Sequence, residues 1–234
     1  NTSLYIRLLV VDVVLSFLAG IVSFTFFLEL LIKSIKTKRP NLILWTIAIG
    51  MYSFATIALA FGLYSGWTQF SFGVFYFFGG ITNVPAFGLG SAYLVFKKDT
   101  VHIASGIYVL FICSAIYSML AAPAINLLNI QGIPEGRELY EISGPRLWAI
   151  LGNSIGSLAL VGIAIASIVK YRLVNQDLAT TNVLIAVGAF APAFSGVLLA
   201  LGDGTSKALS LLVGIFLIYL GYKISQRIDF SKQD

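Results

Sequence analysis

The sequence predicts an all-α polytopic membrane fold: one domain over residues 1–234 with seven transmembrane helices, the N-terminus outside and the C-terminus cytoplasmic. Three observations predict it. Hydrophobic residues make up 58% of the chain and charged residues only 11%, with a mean hydropathy of +0.92, which leaves too little charge to cover a soluble surface. Seven apolar runs recur, each near the roughly 20 residues a helix needs to cross the hydrocarbon layer. Finally, eleven of the fifteen Lys and Arg residues fall on alternate connections, the side that the positive-inside tendency places in the cytoplasm.

The first run covers 8–32. Arg7 and Asp12 lie in its first turns on the outer side and Glu29 in its last turns on the inner side, so none sits at the midplane. Ahead of it, Asn1-Thr2-Ser3 is an acceptor pattern for N-glycosylation on the outer side. With no small-residue cleavage site followed by a soluble body, the run reads as a retained span and not as a removable signal. Lys33, Lys36, Lys38 and Arg39 then mark the inner boundary, and the second run covers 42–64.

The third run, 70–96, is interrupted near its centre by Asn83 and Pro85, with Gly79-Gly80 before them and Gly88 and Gly90 after. Proline frees a backbone carbonyl and the glycines permit bending or close approach, so a kink is expected there. Lys97 and Lys98 close this span on the inner side. The fourth run, 101–122, carries His102 at its inner start and Cys113 inside it; His102 lacks partner ligands at metal-binding spacing, and Cys113 reads as a small core residue.

An outer loop follows at 123–146, whose charge run of Glu135, Arg137, Glu138 and Glu141 reads as solvated. The fifth run, 147–170, holds Gly152-Asn153-Ser154-Ile155-Gly156, a small-xxx-small pattern that admits a neighbouring helix. Gly152 and Gly156 therefore serve either packing within the chain or contact with another subunit or a second copy. The sixth run, 178–201, is interrupted by Pro192; the seventh, 205–225, opens on Asp203 and Lys207, four positions apart. Trp45, Trp67, Trp148, Tyr5, Tyr64, Tyr171 and Tyr222 lie near span ends, where amphipathic rings favour the headgroup zone.

Two groups of residues are candidates for a site. Arg7, Asp12, Asp203 and Lys207 share the outer level and form either an ion-pair cluster or an outer vestibule. Asn83, Pro85, Asn153 and Pro192 are the polar and kinking residues of the membrane middle. Pro-Ala-Phe occurs at Pro85–Phe87 and again at Pro192–Phe194, in spans that run in opposite directions, as an inverted repeat around a central transporter site would place them. No Cys pair, His-x-x-His, Gly-x-Ser-x-Gly or phosphate-cradling Gly-rich loop occurs, so neither an enzyme nor a metal or cofactor is expected. The basic balance is explained by topology and calls for no nucleic acid.

Asp203-Gly204-Thr205-Ser206-Lys207 resembles the Asp-x-x-x-Lys arrangement with which microbial rhodopsins hold retinal. Lys207 about a turn inside the outer boundary, and the lack of Trp in the last two spans, speak against a retinal pocket. The run from Phe77-Phe78-Gly79-Gly80 through Pro85-Ala86-Phe87-Gly88-Leu89-Gly90 to Lys97-Lys98, with Asn182 to Ala189 and Gly214 to Tyr222, resembles stretches of poorly characterised prokaryotic seven-helix membrane proteins. That resemblance implies a multi-pass protein of a prokaryotic plasma membrane and assigns no site. An accessory or structural subunit of a larger membrane complex is the reading that so apolar a middle favours, with the lipid bilayer and other membrane subunits as partners. The alternatives are a small-molecule transporter, channel or receptor at the kinked third and sixth helices and, more remotely, a rhodopsin-like photoreceptor.

Overall fold

The structure is a computed structural model that describes residues 2–127, 130, 132–171, 176–200 and 204–227; for 2–8, 167, 170, 171, 177–179, 192–200 and 204 it describes the backbone alone. Its long helices are α1 (Thr2–Thr37), α2 (Pro40–Ser65), α5 (Lys98–Ala121), α7 (Pro145–Tyr171), α8 (Gln176–Ala200) and α9 (Gly204–Arg227). The third span is composite: α3 (Gln69–Val74), a π-helical segment (Phe75–Thr82) and α4 (Asn83–Ala92). A single helical turn, α6 (Gly136–Leu139), lies in the long connection, and the described residues contain no strand.

Local chemistry sets the boundaries. Pro40 opens α2, where its missing N–H is no loss, and Gly66 ends it at φ 89°, a conformation that only glycine adopts without strain. Thr68 and Ser71 form a reciprocal capping box at the start of α3. Six helices, the composite third span among them, are long and apolar enough to cross a membrane; α8 is 25 residues long, with a fully described apolar stretch at Thr180–Ala191. Their outward faces are apolar too. Val14, Phe17, Ile21, Phe24, Leu28 and Ile32 form an exposed stripe along α1, which suits a lipid environment and not water.

Side-by-side packing runs α1–α2–α4–α7–α8–α9 and closes back on α1, and α5 lies outside this ring against α4, α7 and the π segment. Phe26, Ile49, Phe87, Ile215 and Ile218 fill the ring interior. At one end of the bundle, here the basic end, Glu29 of α1 meets Lys223 of α9 at 2.7 Å and accepts a hydrogen bond from the Tyr219 hydroxyl at 2.8 Å. The opposite end, here the loop end, carries the 123–146 connection.

Several expectations are corrected. Trp45, Trp67 and Tyr222 are not interfacial anchors: all three are buried in the interior, while Tyr64 is exposed. Cys113 is not a core residue, because α5 is peripheral and turns this side chain outward. The charge run of the long connection is solvated at Arg137, Glu138 and Glu141, which are exposed, but the segment around it is packed down. Leu127, Ile133 and Tyr140 are buried, and Trp67 donates from Nε1 to the Gly132 carbonyl at 2.8 Å, holding the segment down on the third span. Within it the Glu135 side chain is 17% exposed against 47% for Arg137, to which it is paired at 2.6 Å.

Gly152 and Gly156 are spent within the chain and present no face to a second copy. A Cβ at Gly156 would lie 2.6 Å from the Pro85 nitrogen, and one at Gly152 would run into the Ile81 carbonyl oxygen. The two glycines let α7 seat directly on the bend of the third span.

Candidate functional site

The site is built from the interruption in the third span. Pro85 lacks an N–H, so the carbonyl of Ile81 loses its ordinary helical donor, and Gly79-Gly80 add little resistance to widening the turn. The chain relaxes into the π segment, in which the Asn83 N–H donates five residues back to Phe78. Carbonyls displaced in this way are met by side chains. Asn153 Nδ2 donates to Gly80 at 2.5 Å, Thr82 Oγ1 to Phe77 at 3.0 Å and Tyr108 Oη to Thr82 at 2.6 Å. Single π turns inside α-helices occur frequently at functional sites.

Beside this segment lies a chamber of about 290 Å³. Tyr52, Ala55 and Thr56 of α2, Asn83 of α4, Asn153 of α7 and Lys207 of α9 contribute to its walls, and Pro134, Glu135 and Gly136 cover it from the loop end. Stacked aromatics brace that cover: Tyr76 meets Phe72 with ring centres 5.5 Å apart and Tyr140 at 5.1 Å. The Lys207 ammonium lies 5.1 Å above the Phe75 ring, a cation–π contact, and makes no ion pair among the described residues. Asn83 is 6% exposed and its Oδ1 has no hydrogen-bond partner among the described residues. Buried polar atoms are rarely left in this state.

A second chamber, of about 320 Å³, lies at the basic end and shares α2, α4, α7 and α9 with the first. Lys33, Arg39, Trp45, Ser91, Leu160 and Tyr222 are among its walls, with Thr181 and Asn182 from α8. Trp45 Nε1 and Thr181 Oγ1 are buried without hydrogen-bond partners among the described residues. The nearest wall residues of the two chambers are Trp45 and Tyr52 on α2, Ser91 and Val84 on α4, and Leu160 and Asn153 on α7. Each pair is seven residues apart, which is about 10 Å of helix. Ile49, Phe87, Ile215 and Ile218 occupy that interval as one apolar cluster.

The structure therefore brings Asn83, Asn153 and Lys207 to one chamber, joining members of both candidate groups. Pro85 stands behind the wall against α7. Asp12 is buried, at 7% exposure. Arg7 and Pro192 lie on described backbone in α1 and α8, with side chains outside the described residues, and Asn1 and Asp203 lie outside them altogether. His102 packs edge-on against Tyr93. Tyr52, Thr56 and Glu135 join the chamber without having been singled out as site residues; the only signal for them was polarity within or beside an apolar run.

Comparison of the chain with protein-family models, curated proteins and solved structures returns no match.

Proposed function

We propose that this protein is a small-molecule carrier of the plasma membrane, built of seven spans with the loop end outside and the basic end in the cytoplasm. One observation carries the reading: two chambers share the helices of a single ring and are separated by about 10 Å of apolar packing. A carrier needs a site reached alternately from either side, with a barrier between. The π segment and Pro85 supply the element that moves, since the hydrogen bonds of that stretch are held by side chains and can be exchanged.

Single cysteines at Ala55 and Leu160, in a Cys113→Ser background, test it. In oriented vesicles an impermeant maleimide is expected to reach Ala55→Cys from the loop end alone and Leu160→Cys from the basic end alone. Saturation with a transported substrate would change the balance between them. Labelling of both positions from one side would sink the carrier reading in favour of an open channel.

A second reading, an accessory subunit of a larger complex, is supported by α5. Only 11% of its apolar window is buried, so nearly the whole helix is available to lipid or to another chain. Stable co-purification of other polypeptides in mild detergent, lost on placing Arg at Leu110, would favour that reading.

A further inference from the structure

We infer that the ligand of the two chambers is a compact monocarboxylate, an organic anion of about ten non-hydrogen atoms or fewer with an apolar body. The inference rests on the carrier reading only for movement between the chambers; binding stands on their chemistry.

Charge comes first. Among the described residues the cation at the loop-end chamber is Lys207, with no ion pair of its own, while the carboxylate in its walls, Glu135, is engaged by Arg137 at 2.6 Å. Lys33 and Arg39 face the basic-end chamber, with no carboxylate among its described wall residues. Among the described side chains the cations of both chambers thus lack a carboxylate of their own, and a cation in an apolar setting gains most from an anion that shares its low-dielectric surroundings.

Hydrogen-bonding valence agrees. The residues lining the basic-end chamber include Trp45, whose Nε1 can only donate, and Thr181 and Tyr222, whose hydroxyls can do so. An occupant rich in acceptor oxygens answers this set, directly or through water. At the loop end the unpartnered atom among the described residues is Asn83 Oδ1, an acceptor, which a carboxylate meets only through a bridging water.

Size and wall character narrow the class. At about 30 Å³ per water-sized group, either chamber holds roughly ten such groups. Phe75, Tyr76, Val84 and Leu211 at one end, and Leu42, Leu160, Ile163 and Ile185 at the other, present apolar and aromatic surface. A multiply charged, strongly hydrated oxyanion such as phosphate would lose hydration that these apolar walls do not replace; a single carboxylate on an apolar body meets a cation, donors and a greasy wall.

The test uses the full chain purified in detergent, and the probes are benzoate, isobutyrate, their uncharged amides and inorganic phosphate. Binding is followed by calorimetry, and exchange by loaded proteoliposomes. The carboxylates are expected to bind at least tenfold more tightly than their amides and than phosphate. Lys207→Gln is expected to weaken carboxylate binding tenfold or more at the loop end and Lys207→Arg to retain most of it. The wild-type comparison alone is decisive should a variant fail to fold. Equal affinity for acid and amide, preference for phosphate, or no binding by any probe overturns the assignment. Carboxylates that bind without exchanging leave the anion class standing and remove the carrier; amides exchanged as fast as acids do the reverse.

Discussion

Asn153 of α7 and Gly80 of the third span, 73 residues apart in the chain, are joined by a 2.5 Å hydrogen bond from Nδ2 to the backbone carbonyl. The same amide group donates to Ala149 at 2.9 Å, within its own helix. One side chain thus ties a widened turn to a regular helix, at the wall of the loop-end chamber. Asn153→Leu removes the donor and leaves the Gly80 carbonyl to find another. The expected loss is about 1 kcal/mol, the scale of interhelical hydrogen bonds in membranes, rising toward 2 if no water replaces it. Unfolding in mixed micelles reads that loss. Hydrogen exchange is expected to quicken at Ile81 to Val84 and to leave α9 unchanged; uniform exchange across the bundle would show that the bond does not hold the π segment.

The close seat of α7 on Pro85 gives a second prediction. The atoms facing Gly156 are backbone, the Pro85 nitrogen and the Val84 carbonyl carbon at 2.6 and 2.7 Å from a built Cβ, so neither can swing aside. Gly156→Ala is expected to cost about 1–3 kcal/mol through overpacking. Gly162, on the same helix, has nothing within 4 Å of its Cβ position, and Gly162→Ala is expected to stay within about 0.5 kcal/mol of the parent. Equal effects at the two positions would remove the proposed packing.

Much of the helix plan is legible in the residues because hydrophobic length reports depth directly. Runs near 42–64 and 147–170 become α2 and α7, with a few residues added at their ends. What the residues do not report is azimuth. These helices are apolar on nearly every face, so periodicity does not say which side turns inward. For that reason Trp45 and Tyr222, close to the ends of their apolar runs, read as interfacial rings although they point into the bundle. Lys207 carries the same ambiguity: its distance from the helix start suits a boundary residue, while its ammonium is turned over Phe75. The interruption at Asn83 and Pro85 is visible in the chain. Its form as a π turn is not, since the partners that accept or replace the lost hydrogen bonds, Tyr108 and Asn153, belong to other spans.

At the basic end, the Glu29–Lys223 pair fastens α1 to α9, but both side chains retain solvent contact, at 28% and 43% exposure. Screening therefore limits its value to under about 1 kcal/mol. Glu29→Gln is expected to lower stability by no more than that in low salt and to lose most of the difference in 1 M salt. The reversed pair, Glu29→Lys with Lys223→Glu, is expected to recover part of the loss left by either single change. A single-variant cost of several kcal/mol that salt does not reduce would mean that the pair is buried in a way this geometry excludes.

The cover of the loop-end chamber is expected to respond to alkaline pH through Tyr140. Burial holds the Tyr140 phenol above its ordinary value of 10.0. The sign follows from proton binding: above pH 10 an unfolded or detached loop releases this proton while the packed one retains it. The ring's contribution is therefore fully present below pH 10 and is lost as pH rises through the raised folded value. Trp67, whose Nε1 holds Gly132 at 2.8 Å and whose ring lies edge-on 6.1 Å from Phe72, reports the state of the cover by its emission. Between pH 9 and pH 11 its emission is expected to shift toward that of a hydrated indole in the parent, and less so in Tyr140→Phe, which keeps the ring packing and removes the ionisable hydroxyl. An identical shift in both would place the alkaline transition elsewhere in the bundle.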